Sequence, residues 1–296
     1  MLLFGLSGGL IRTFELRFAY DSFTGLAPAN HILTVALYLV TAAAVVVCLA
    51  LSMRGTVDDS SRNLNGARLP LIVAAFILGC ACAVDFANML RYDEFSVIEI
   101  IMAALGILTA FIMVLMAATI TSKATHGLYA TVAVFWLCAW LLILFADNAG
   151  NPVFGQFWYE FMAVIFSAFA FYIFAGIHFN KPRPRMLTFT AGVAVFFLMT
   201  ALVGPVLAQL LYKNEAFLDG VTSTGQLRLL FALIYIMCMP TLARRVRHMP
   251  ETPPHAQAQA QAQDVPDTAE EEPAAPEEPV AQETSQEPQE EGETDL

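Results

Sequence analysis

"LIVAAFILGCACAVDFANMLRYDEF", residues 71–95, is apolar enough to cross a bilayer, yet it carries a carboxylate, Asp85, inside its run. An ionised side chain in hydrocarbon is costly, and such residues face a bundle interior or a water-filled cavity and pair with a partner. The stretch therefore sets both the architecture, a membrane span, and the first candidate functional residue.

Outward from residue 71, the same signature recurs. A helix needs about 20 mostly apolar residues to cross the hydrocarbon. Seven runs qualify, at approximately 31–53, 70–90, 97–121, 127–147, 157–179, 186–212 and 225–243. Turn-forming stretches separate them, notably "RGTVDDSSRNLNG" after the first, "DNAGNP" after the fourth and "NKPRPR" after the fifth. The fold class this predicts is all-α, a polytopic seven-transmembrane helix bundle. The composition agrees: 57% of the 296 residues are hydrophobic and 14% charged, where soluble domains average about 25% charged.

The basic residues give a direction. Arg54, Arg62, Arg68, Lys123, Lys181, Arg183, Arg185, Arg244, Arg245 and Arg247 all fall on one side of a seven-span arrangement. Positive-inside then predicts the N-terminus out and the C-terminus in, in a plasma (inner) membrane crossed many times and in contact with its lipid. The formal charge of −11 misleads about this body, because 14 of the 26 acids lie in residues 250–296, which hold no lysine or arginine. Removing them leaves a membrane domain of net charge +3.

Three segments follow. Residues 30–248 form the seven-span domain. Residues 249–296, rich in Pro, Glu, Gln and Ala, have almost nothing to bury and are expected to be a disordered cytoplasmic tail. Such a tail either solvates the protein or docks an unknown cytoplasmic protein. Residues 1–29 lack the positive start and cleavage site of a secretory signal. Leu3, Leu6, Leu10, Phe14 and Phe18 recur there at helical spacing with Arg12, Glu15 and Arg17 between them, which predicts an interfacial helix along the membrane.

With that orientation the acids gather at the outer rim. Asp85 lies about 8 Å below the outer end of its span at 1.5 Å per residue. Glu99 opens span three, Asp147 ends span four, and Gln156 and Glu160 begin span five. Asn88 follows Asp85 at i+3, and Trp136, Trp140 and Asp147 align on span four. These placements predict an outward-facing acidic ligand-binding pocket of Asp85, Asn88, Glu99, Asp147, Gln156 and Glu160, with Arg228 as counter-ion. Interhelical hydrogen bonding is the structural alternative for the same groups.

Several chemistries fail on residue content. A retinal Schiff base needs a lysine in the last span, and "QLRLLFALIYIMCMPTLARRV" has none. A bis-histidine haem needs two histidines at one depth, whereas His31 and His178 lie at opposite ends of their spans. His126, His178 and His248 share a side but sit beside Lys123, Lys181 and Arg247, where positive charge opposes a metal cation. No HExxH or GxSxG is present, so no catalytic residue, metal or cofactor is expected. The five cysteines, Cys48, Cys80, Cys82, Cys138 and Cys238, lie in apolar runs and read as small hydrophobes. Basic residues confined to short loops give no nucleic-acid surface.

The expected function is thus a binding or signalling module with an outer pocket and a cytoplasmic interaction tail. The alternative is a small-solute or cation- or proton-coupled transporter. It rests on the similar endings "ANMLRYDEF" (87–95) and "AQLLYKNEAF" (208–217), which a parallel 3+1+3 repeat would leave.

Overall fold

A computed structural model of the chain describes residues 1–19, 31–54, 68–92, 97–118, 123–150, 154–179, 183–212 and 223–247. They form eight α-helices: α1 Leu2–Phe18, α2 Ile32–Arg54, α3 Arg68–Tyr92, α4 Val97–Ala118, α5 Lys123–Asn148, α6 Phe154–His178, α7 Pro184–Leu211 and α8 Ser223–Arg247. Helices α2 to α8 are the seven long and apolar enough to cross a membrane, so the chain is a multi-pass membrane protein. The tail at 249–296 lies outside the described residues, as do the connecting residues Arg62, Asp93, Glu94, Lys213, Glu215 and Asp219.

Lipid as solvent explains which faces are buried. With no hydrophobic drive between helices in hydrocarbon, association relies on close packing of small residues and on interhelical polar contacts. Large apolar side chains accordingly cover the outside, with Leu3 80%, Ile32 78% and Phe76 73% exposed. Small residues sit at the crossings. A β-carbon on Gly106 of α4 would collide with Cys82 Sγ of α3, and one on Gly192 of α7 would lie 2.9 Å from Cys48 Sγ of α2. Cys82 and Cys48 thus fill tight gaps between helices.

Helix α7 is the hub, packing against α1, α2, α6 and α8, while α3, α4, α5 and α6 follow one another around the bundle. Helix α8 closes it against α3, α6 and α7. Within, Trp136 of α5 meets Phe231 of α8 edge-on at 5.4 Å, and Phe171 of α6 stacks on Tyr235 of α8 at 4.4 Å. All four are fully buried.

Helix α1 has the apolar stripe its sequence predicts, but Leu3, Leu6, Leu10, Phe14 and Phe18 form its exposed face. The opposite face, Gly5, Gly8, Gly9, Arg12, Thr13, Glu15 and Leu16, is buried. The glycines allow this: a β-carbon on Gly5 would lie 2.5 Å from Met199 Cβ, and one on Gly9 2.7 Å from Val203 Cβ. Helix α1 runs beside α7 in the same direction. Thr13 Oγ1 donates to the Gly204 carbonyl at 3.2 Å, and Arg17 lies over the Tyr212 ring at 5.3 Å. The interfacial segment expected at residues 1–29 therefore includes a helix packed lengthwise into the bundle wall; residues 20–30 fall outside the described ones.

Candidate functional site

A cavity of about 300 Å³ opens near the end of the bundle where α5 finishes and α6 begins. Five helices wall it. Helix α5 supplies Trp140, Asp147 and Asn148, α6 supplies Tyr159 and Glu160, and α8 supplies Gln226 and Arg228. Helix α7 contributes Ala201 and Pro205, and α1 adds Arg12 and Leu16. Asp147 is exposed, so the cavity communicates with the surface at this end.

Two arginines are held inside the wall by matched partners. The Arg228 guanidinium donates through Nη2 to Asp85 Oδ2, an ion pair between α8 and α3 whose side chains are 10% and 12% exposed. Its Cζ lies 5.8 Å from the centre of the Trp140 ring. Arg12 Nη1 donates to Glu15 Oε2 at 2.6 Å within α1, and the Arg12 guanidinium sits 5.1 Å over the Tyr159 ring. Each buried cation thus has an acid for charge and an aromatic face for contact, the arrangement burial demands of an ionised group.

The remaining acids are not matched in this way. Glu160 is half-buried and Asp147 exposed, and neither has a hydrogen-bond or ion-pair partner among the described residues. The charge of Arg228 reaches both. Arg228 also keeps one buried donor, Nε, without an acceptor. The α7 backbone is also interrupted beside the cavity. Pro205 has no N–H, so the Ala201 carbonyl four residues earlier loses its helical donor, and both residues line the cavity.

Comparison of the chain with protein-family models, with curated proteins and with solved structures gave no match. Function is therefore read from the site alone.

Of the residues singled out in the sequence, Asp147, Glu160 and Arg228 line this cavity, and Asp85 adjoins it through Arg228. Asn88 is exposed and Glu99 half-buried, and neither lines it. Three residues advance a helix by about 300°, so Asn88 lies roughly 60° around α3 from Asp85 and still shares a face with it. Gln156 lies in the first turn of α6, and its side chain is outside the described residues.

Sequence reasoning missed Arg12, Tyr159 and Gln226. A signal for Arg12 was present: it lies on the same helical face as Gly5, Gly8 and Gly9, and a small-residue face marks a contact with another helix. Among the described residues no group of three His, Cys, Asp or Glu is placed to hold a metal ion. His126 and His248 fall outside those with described side chains.

Proposed function

We propose that this multi-pass membrane protein is a binding and signalling module whose solute site is the five-helix cavity. The cavity opens to the outside of a plasma membrane, and the tail at 249–296 engages a cytoplasmic protein. The single observation that carries this reading is the cavity itself: charged groups from α5, α6 and α8 meet at one partly enclosed space beside paired arginines.

A route for signalling accompanies it. Pro205 is both a cavity residue and an interior helix breaker of α7, and α8 carries a second interior proline, Pro240. Helices freed of a backbone hydrogen bond at a proline bend there at low cost. A solute touching Ala201 and Pro205 acts at that bend, and α7 packs on α8, which leads to the tail.

The transporter reading has less support. Below the cavity the described interior is filled by the aromatic rings of Phe171, Phe174, Phe231 and Tyr235, all fully buried, with the Tyr235 hydroxyl the one polar atom of the four side chains. A 3+1+3 repeat would also give α2 and α3 the packing of α6 and α7. Helices α6 and α7 pack closely, whereas α2 packs on α7 and α1.

The test is binding without flux. Full-length protein in nanodiscs, screened against small charged solutes, is expected to show at least one that raises its melting temperature. Solute at 100 times Kd stabilises by about 2.7 kcal/mol. The same solute is expected not to accumulate in proteoliposomes. Flux abolished by Asp85→Asn would replace this reading with transport, and a panel without any stabilising solute would remove the site.

A further inference from the structure

We infer that the cavity takes a small organic ammonium carrying a neutral oxygen acceptor, the amino-alcohol class of compound. The inference rests on the cavity being a solute site, as proposed above, and adds what the solute is.

Charge comes first. Arg12 is matched by Glu15 and Arg228 by Asp85, which leaves Glu160 and Asp147 on the cavity wall without a cation of their own. A partly buried carboxylate without a partner is costly and is relieved by a proton or by a positive charge. A cation in the cavity supplies the second for Glu160, with Asp147 at the mouth adding to the same field. An anion meets the reverse situation. It would have to draw Arg228 or Arg12 from an established ion pair and then lie beside Glu160 and Asp147.

The remaining polar groups fit an amine with an oxygen. The Ala201 carbonyl, released by Pro205, is an acceptor for ammonium N–H groups. Gln226, on the same wall, donates one amide N–H to Gln209 Oε1 at 3.3 Å and keeps a second. A neutral oxygen answers that donor, whereas a further carboxylate would be repelled by the three acids already sharing the Arg228 guanidinium's field.

The walls exclude a bare metal ion. Hard cations such as calcium take six to eight oxygen ligands, and here much of the lining is apolar: Leu16, Trp140, Leu144, Phe157 and Leu229. Such a surface receives a carbon skeleton. A volume of about 300 Å³ is at the small end of the range for small-molecule sites.

Four probes of one skeleton separate these claims in full-length protein in nanodiscs, read by melting temperature and tryptophan fluorescence. They are 2-amino-1-phenylethanol, 2-phenylethylamine, 2-phenylethanol and 3-phenylpropanoate. The amino alcohol is expected to bind tightest, the amine without oxygen about tenfold more weakly, and the neutral and anionic probes at least 100-fold more weakly. Glu160→Gln is expected to weaken the amino alcohol at least tenfold, and Glu160→Asp to keep most of its binding. Asp147→Asn, at an exposed position, tests the same charge without burdening the fold and is expected to weaken binding about threefold.

Tighter binding of the anion or the neutral alcohol overturns the inference and leaves the site standing. So does ammonium binding that is indifferent to both Glu160→Gln and Asp147→Asn. Silence from all four probes while another solute of the wider panel binds overturns the inference alone; silence from the whole panel removes the site with it.

Discussion

Arg228→Met is expected to destabilise the bundle by about 3–5 kcal/mol, the cost of stripping one partner from a buried ion pair. Asp85 would be left 12% exposed within α3, facing α8 with no cation. Asp85→Asn is expected to cost less, because the charge of Arg228 still reaches Asp147 and Glu160. The pair Asp85→Leu with Arg228→Met removes both charges and should recover most of the loss, since an apolar replacement of a buried pair is often neutral or better. Reversible unfolding in mixed micelles measures all three. A loss below 1 kcal/mol for Arg228→Met would reduce the pair to ordinary interhelical contact, which averages about 0.6 kcal/mol.

The second large effect belongs to α1. Valine at Gly5 or Gly9 places a branched side chain where α7 already stands, 2.5 Å and 2.7 Å from the nearest side-chain carbons. Overpacking of this kind costs about 1–3 kcal/mol per site. With both sites changed, α1 is expected to leave α7, taking Arg12 and Leu16 from the cavity wall. Solute binding should fall together with the melting temperature. Leu6→Val, on the exposed face of the same helix, is the control and is expected to change neither. If the double valine variant melts like the parent, the packing of α1 on α7 is not as close as the glycines require.

What the sequence made legible follows from what membrane physics writes into local composition. The seven spans are readable because each must be apolar along about 20 residues whatever it packs against. The depth of Asp85 and Arg228 is readable too, since Asp85 lies a few residues before the end of α3 and Arg228 a few after the start of α8, which fall on the same side. Packing partners are not local. Helix α1 has 17 residues and carries Arg12 and Glu15, so hydropathy places it outside the bilayer. Its glycines acquire meaning only beside Met199, Thr200 and Val203. Asn88 shares a face of α3 with Asp85 but is exposed and does not line the cavity.

The orientation of the cavity is tested most directly by thiol accessibility in a variant lacking the five native cysteines. Asp147→Cys reports the cavity mouth, and Arg183→Cys, exposed at the start of α7, reports the opposite end of the bundle. The expected result is that a membrane-impermeant maleimide labels the first in intact cells and the second only after permeabilisation. Labelling of the second alone in intact cells would turn the cavity to the cytosol and contradict an outward-facing site.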